Sequence, residues 1–448
     1  MSNALIVLAA GRGTRMQSDL PKVLHEIAGA PLLIHALNGA HALEAERTIL
    51  VTGYGAAAVE DAARAHDESL EFIKQETQDG TGHAVLQAKD ALAGHEGPAF
   101  VLYGDTPFIQ PETLARMQDT LSEASVAVLG FHAQDPARYG RLVTEGDRLL
   151  RIVEWKDASD QERAITLCNS GVLAADAALL FELLGEITND NAAQEYYLTD
   201  IPGLAAQRGL ITKVVECPEA ETLGVNSRAD LAEAGAAFQA RKRAEALETG
   251  VAMDAPDTVF FAFDTVLGRD CTIEPHVVFG PGVSVETGAR IRAFSHLEGC
   301  HVSRGAVIGP YARLRPGAEL SEDVRVGNFV EIKAATLGEG AKVNHLSYVG
   351  DASVGAGSNI GAGTITCNYD GVMKHRTEIG ARAFVGSNTM LVAPVRLGDE
   401  AMTGSGSVIT RDVPDGALAL ARTEQSNKAG MARKLMARLR AIKAKKGQ

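Results

Sequence analysis

The chain has 448 residues, 46% of them hydrophobic and 22% charged, and carries a net charge of −14. That length predicts two or three domains at ~150 residues each, and the acidic balance gives no electrostatic reason to expect nucleic acid as the main partner. No apolar run approaches the ~18 residues needed to span a bilayer, so no membrane insertion is expected.

The first residues, Met1-Ser2-Asn3, enter a strand at once and lack the basic, long-apolar pattern of a leader. Apolar runs at 4–8, 48–51 and 99–103 predict buried strands, with helical stretches at 32–43 and 83–92 between them. Such alternation implies a mostly parallel sheet with helices on both faces. Ligands of these sheets bind beyond the carboxyl ends of the strands, which directs attention to the loops after Leu8 and Tyr103.

The first loop, Leu8-Ala9-Ala10-Gly11-Arg12-Gly13-Thr14-Arg15-Met16, has glycines that let backbone approach phosphates closely, and Arg12 and Arg15 supply charge. Met16 stands where a dinucleotide fingerprint needs its third glycine, and no Gly-Lys-Ser/Thr follows as in a Walker loop. The sequel Ser18-Asp19-Leu20-Pro21-Lys22-Val23-Leu24 completes a signature that resembles the sugar-1-phosphate nucleotidyltransferases. Further on, Gln75 and Gly80-Thr81-Gly82-His83 make a small-residue loop suited to press against a nucleobase. Tyr103-Gly104-Asp105 ends a strand, and Asp105 is a candidate Mg²⁺ ligand because magnesium prefers oxygen donors shared with substrate phosphates. The alternative for Asp105 is the cap of the next helix. Tyr139-Gly140-Arg141, Val153-Glu154, Cys168-Asn169-Ser170-Gly171 and Gly224-Val225-Asn226 complete the front set.

Residues 227–249, rich in Ala, Glu, Arg and Lys, predict one long connecting helix with Ser227 as its cap and Gly250 at its end. From Leu267 onward an aliphatic or similar small residue returns every six positions: Leu267, Ile273, Phe279, Val285, Ile291 and Leu297, then a new register from Val302 through Ile332. It continues as Leu337, Val343, Val349, Val354, Ile360, Thr366, and again as Ile379, Val385, Leu391, Leu397. Neither a 3.6-residue helix nor an alternating strand has that period. One short strand per hexad, three to a triangular coil, does, and each coil must stack on the next to bury its apolar face. The predicted fold class is therefore an α/β Rossmann-like nucleotidyltransferase domain (residues 1–226), the helical linker (227–249) and a hexapeptide β-helix (250–425).

Outward positions in the coils are free for chemistry. His345 lies two places after Val343, with Arg315, Lys333, Tyr348 and Asn359 about one turn away. A lone histidine there is more often a surface or corner residue; the two cations and the tyrosine make a sugar-phosphate clamp instead. The hexads break after Thr366, and Cys367-Asn368-Tyr369-Asp370-Gly371 must leave the coil as a loop, which in a solenoid often marks a binding face. Residues 426–448 carry eight Lys or Arg and no acid, reading as a solvated, partly disordered tail or else a phosphate-attracting flap. Five cysteines (Cys168, Cys217, Cys271, Cys300, Cys367) form no CxxC pair and suggest reduced thiols in a cytoplasmic protein.

Over residues 4–425 the motif order resembles the bifunctional N-acetylglucosamine-1-phosphate uridyltransferase/glucosamine-1-phosphate acetyltransferase family. The resemblance implies a left-handed β-helix, a homotrimer with the coenzyme groove between subunits, and UTP, acetyl-CoA and glucosamine-1-phosphate as substrates. It also implies that Leu8, Ala9, Ala10, Gly11, Lys22, Gln75, Gly80, Thr81 and Tyr103 hold the nucleotide, and Gly140, Glu154 and Asn169 the N-acetylated sugar. Asp105 and Asn226 would ligate Mg²⁺, with Arg15 and Lys22 offsetting phosphate charge. In the coils Arg315, Lys333 and Tyr348 would grip the sugar phosphate, Asn359 and Asn368 would orient sugar and amine, and His345 would be the base. Ala362, Tyr369, Ser387, Ser405 and Arg422 would line the acetyl-CoA groove, which Asn368 adjoins. Three departures are visible: Asp79 in place of a usual Leu, Trp155 in place of a commonly polar residue, and Ser405 where some relatives have Ala. Two competing readings are a single-function nucleotidyltransferase whose coils only assemble it, and a non-enzymatic scaffold.

Overall fold

The computed structural model describes residues 2–137 and 139–446. The chain forms two compact units, Met1–Glu245 with Phe261–Phe263, and Ala246–Phe260 with Asp264–Gln448.

In the first unit the apolar run at the N-terminus becomes the strand Ala4–Ala9, buried along its whole length. Its side chains alternate between two cores: Leu5, Val7 and Ala9 face one, Ala4, Ile6 and Leu8 the other. Arg47–Thr52 and Pro98–Tyr103 flank it, both parallel to it. The full order is Thr212–Glu216, Val126–His132, Leu167–Asp176, Pro98–Tyr103, Ala4–Ala9, Arg47–Thr52, Glu71–Lys74. Only Leu167–Asp176 runs antiparallel to its neighbours in that row. The expected helices appear as Leu32–Ala40, extended by a 3₁₀ turn His41–Leu43, and Thr81–Leu86, which is shorter than expected.

Helix Arg228–Glu248 is capped as expected: the Asp230 amide donates to Ser227 Oγ at 3.2 Å, and the Asp230 carboxylate accepts from the Ser227 amide at 2.9 Å. It is not a free connector. Ala234 and Phe238 are buried with Met16, Leu32 and Phe108, so through Glu245 the helix is part of the first unit. Two apolar residues four apart suffice to dock it, a stripe that its polar composition hides.

The second unit realises the hexads as short parallel strands. One face stacks Ile273, Ile291, Ile308, Val326, Val343, Ile360 and Val385 in register. A second stacks Leu297, Leu314, Ile332 and Val349, and a third Leu320, Leu337, Val354, Ile379 and Leu397. Thr366 takes an aliphatic's place because its hydroxyl, fully buried, accepts from the Gly350 amide at 2.8 Å. Truncating one such residue, Ile332→Ala, costs about 2–5 kcal/mol. Strands Glu331–Leu337 and Tyr348–Val354 each turn a corner at a residue of positive φ, Ala334 and Asp351, which joins the second and third faces into one 14-stranded sheet. The unit is a left-handed parallel β-helix.

The basic tail, expected to be solvated and partly disordered, is exposed throughout and forms a helix from Met431 to Lys446. Ala, Leu, Met, Lys and Arg dominate it, and all are good helix formers. Residues 447 and 448 lie outside the described residues.

Candidate active sites

The first site is a cavity of about 430 Å³ at the carboxyl edge of the front sheet. Leu8, Ala9, Ala10 and Gly11 form one wall, Gln75, Gly80 and Thr81 a second, and Tyr103, Asn169 and Asn226 line the remainder with Lys22 and Asp105. The loop geometry explains the glycines. Gly13 has φ 66°, and a Cβ there would meet Lys22 Cβ at 2.6 Å; Gly80 has φ 116°, and a Cβ would meet the Tyr196 carbonyl at 2.5 Å. Gln75 Nε2 is 3.0 Å from His83 Nδ1 and 3.4 Å from the Gly80 carbonyl, which ties the second wall together.

At the centre, the Lys22 ammonium forms an ion pair with Asp105 Oδ2 and donates to Asn226 Oδ1 at 3.1 Å. Asp105 is therefore not a helix cap; Gln110 precedes the next helix. Among the described residues no three His, Cys, Asp or Glu side chains gather into a metal-binding group. A cation at this point would draw on one carboxylate and one amide oxygen, already converging on the Lys22 cation, plus substrate oxygens. That donor set fits magnesium.

Gly140, Glu154 and Asn169 lie together: a Cβ on Gly140 would stand 3.4 Å from Glu154 Oε1 and 3.6 Å from Asn169 Cβ. Burial pushes the Glu154 carboxyl above the usual carboxylate range, partly offset by the Thr199 hydroxyl donating at 3.2 Å. Burial likewise raises the Tyr103 phenol. Arg15 is exposed and does not line the cavity. Glu195 and Thr222 do, and no motif announced them: Glu195 lies in an irregular segment and Thr222 ends the short 3₁₀ helix Glu219–Thr222. Neither front-unit departure lines the cavity. Asp79 accepts from the Thr77 hydroxyl at 2.7 Å and is absent from the lining, and the Trp155 ring turns to the Arg141 and Arg163 guanidiniums, 5.3 and 4.7 Å from its centre.

The second site lies on the coils. His345 Nδ1 is 3.0 Å from Asn328 Oδ1; with Nδ1–H donating, the Nε2 lone pair is left free to accept a proton. Along the same edge, the Gly363 amide donates to the His345 carbonyl, Asn388 to Ala362 and Gly406 to Ser387, while Arg422 Nη1 reaches the Ser405 carbonyl at 2.8 Å. His345, Ala362, Ser387, Ser405 and Arg422 thus follow one another coil by coil, a column of small residues between a histidine and an arginine.

Around the corner from His345, Arg315 Nη1 pairs with Glu331 at 2.8 Å and Lys333 with Asp351 at 3.6 Å. Asn368 bridges Asp351 and the Tyr348 hydroxyl. A Cβ on Gly350 would meet that hydroxyl at 2.3 Å, so the ring lies across Gly350. Lys374, in the break between hexads, approaches Lys333, whose side-chain contact and like charge hold the Lys374 pKa below the usual lysine range; the hexad period gives no sign of it. Asn359 stands apart, paired with Lys342 and Phe384 on the His345 face. The chain leaves the coil after Cys367, one residue later than expected, because Cys367 still pairs with Val392. Asp370 accepts from the Val372 and Met373 amides and from His375, which hold its carboxyl well below the usual range, and Tyr369 is left exposed.

Residues 5–194 match the model of the MobA-like NTP transferase domain. Along its whole length the chain is 65% identical to the "Bifunctional protein GlmU" of Ruegeria sp. (strain TM1040), covering 100% of both chains. It is 66% identical to the protein of that name from Cereibacter sphaeroides (strain ATCC 17023), over 99% of this chain and 98% of the relative. The one from Jannaschia sp. (strain CCS1) is 61% identical over 99% and 98%. A structure of UDP-glucose pyrophosphorylase with UDP-glucose, 23% identical, covers 54% of this chain and 100% of its own at a TM-score of 0.45, and carries no argument. Identity of this order over both units, with the nucleotidyltransferase motifs and the coil column in place, leaves one assignment: the chain belongs to the bifunctional GlmU family.

Proposed function

We propose that the chain makes UDP-N-acetylglucosamine in two steps: acetylation of glucosamine-1-phosphate by acetyl-CoA on the coils, then uridylyl transfer from UTP to the product in the front cavity, releasing pyrophosphate. Its place would be the cytoplasm of a bacterium, supplying cell-wall and lipopolysaccharide synthesis. The observation that carries this reading is the pairing of two unlike sites in one chain, Lys22–Asp105–Asn226 within a cavity and His345 at the foot of a small-residue column.

In the front cavity a phosphate oxygen of the sugar attacks the α-phosphorus of UTP. No side-chain nucleophile is needed, so positioning and electrostatics supply the rate. Lys22 offsets the charge on the departing pyrophosphate, Gly140, Glu154 and Asn169 hold the N-acetylated sugar, and the Gly80–Thr81 wall holds the base. Asp105 and Asn226 would hold Mg²⁺, which when bound draws the phosphates together and stabilises the charge that develops on them.

On the coils the amine of glucosamine-1-phosphate attacks the thioester carbon. His345 takes the amine's proton, the C–N bond forms, and the C–S bond breaks to release the coenzyme thiol. Arg315, Lys333 and Tyr348 grip the sugar phosphate, and Ala362, Ser387, Ser405 and Arg422 seat the coenzyme beside Tyr369. The chain works as a homotrimer in this reading. Two observations support it: His345 and the phosphate grip lie on faces that turn apart at Leu346, and that corner carries an exposed stack of His276, Phe294, Tyr311 and Phe329, with ring centres 4.8 to 5.2 Å apart. Phe329 is 57% and Leu346 62% exposed in the single chain, an apolar stripe suited to another copy. The test is thiol release from acetyl-CoA with glucosamine-1-phosphate, wild type beside His345→Ala. Release that needs both substrate and His345 supports the reading; release by the variant at the wild-type rate overturns it.

A further inference from the structure

We infer that helix Met431–Lys446 is a membrane-surface anchor that lies on anionic phospholipid without spanning the bilayer. Met431, Leu435, Leu439 and Ile442 recur at helical spacing along one stripe, with Met436 beside them. All five are exposed, between 42% and 58%, and none of the helix is buried. At 100° per residue, Arg433 and Arg440 project from the opposite arc, while Lys434, Lys445 and Arg438 flank the stripe on one side, Arg438 beside Met431. Lys443 and Lys446 fall in the last turns, where they suit the helix dipole and their stems can lie along the stripe while the ammonium groups reach water.

The helix holds seven cations and no carboxylate, in a chain of net charge −14. That segregation decides between occupants. A second copy of the helix would bring cation against cation with no acid to offset it, so pairing through the stripe is disfavoured. Nucleic acid would satisfy the cations and leave the stripe in water. An anionic bilayer surface takes both, with phosphates against the flanking cations and acyl chains against Leu435 and Leu439. No described helix is long and apolar enough to cross a membrane, and this one, with its seven cations, would lie flat.

The test is co-sedimentation of the full-length protein with vesicles of phosphatidylglycerol mixed with phosphatidylcholine, and with phosphatidylcholine alone. Wild type is expected to pellet with the anionic vesicles only. Leu435→Glu/Leu439→Glu and Arg438→Glu/Arg440→Glu, both at exposed positions, are expected to lower that binding at least ~10-fold while leaving uridylyl transfer and the oligomeric state unchanged. Failure of wild type to pellet overturns the inference. So does a leucine variant that binds as well as wild type, which would reduce the effect to charge alone, or one whose oligomer falls apart, which would place the stripe between subunits. Duplex DNA shifted in a gel with no vesicle binding would assign the helix to nucleic acid instead.

Discussion

In the front unit, Lys22, Asp105 and Asn226 come from three separate segments beyond the sheet and meet inside one cavity, whereas in the coils His345 and Lys333 sit on adjoining faces of a convex prism. The doubly wound sheet gathers its loops at one edge, so a single chain can enclose a substrate and exclude water. A solenoid presents residues outward in columns, and His345 stands exposed on its face. The first architecture makes a pocket; the second makes an open face, which the proposed trimer would complete. Uridylyl transfer should accordingly belong to the single chain and acetyl transfer to the assembly.

The sharpest way to break this contrast is to disable each site alone. His345→Ala is expected to lower acetyl transfer by ~10²–10⁴-fold and leave uridylyl transfer intact, while Asp105→Ala lowers uridylyl transfer on the order of 10³-fold and spares acetylation. Loss of both activities from either change in a folded protein would sink the two-site account. Next in size is the assembly itself. Tyr311→Glu/Phe329→Glu should dissociate the chain in sedimentation velocity and cost more than ~10-fold in acetyl transfer, with uridylyl transfer unchanged; acetyl transfer persisting in a monomer would show that one prism suffices.

Smaller effects sharpen the two sites separately. Gly350→Ala should push the Tyr348 ring off the phosphate grip and raise KM for glucosamine-1-phosphate about 10-fold, or ~1.4 kcal/mol, with normal thermal unfolding. For Glu154 the sign follows from burial. Its folded pKa is raised, so the stability tied to its protonated form is full below the unfolded value and is lost as pH rises through the folded one. Urea midpoints of wild type should therefore fall relative to Glu154→Gln as pH rises across that window, and a gap independent of pH would contradict it.

The coils were legible because one requirement, an inward aliphatic per hexad, repeats until it outweighs local ambiguity; even Thr366 fits once its hydroxyl finds the Gly350 amide. The strand runs of the front sheet were legible for the same reason of sustained burial. What the sequence hid is convergence. Lys22 and Asn226 are 204 positions apart, and only the family resemblance places them in one site. Glu195 and Thr222 have no such motif, and Lys374 lies in the break between hexads, where no period indicates what a side chain will meet. The docking of Phe238 escaped because two apolar residues in a polar helix make no pattern by themselves.

The column from His345 to Arg422 has a further consequence, which is arithmetic. Stacked strands are ~4.8 Å apart, so the span from base to arginine is a whole number of coils and can change only in steps of that size. A substitution can tune the walls of such a groove, but its length is digital. Inserting or deleting one coil between Ala362 and Ser405 would move Arg422 a full step relative to His345. On the proposed seating of the coenzyme, the β-helix would act as a ruler graduated once per turn.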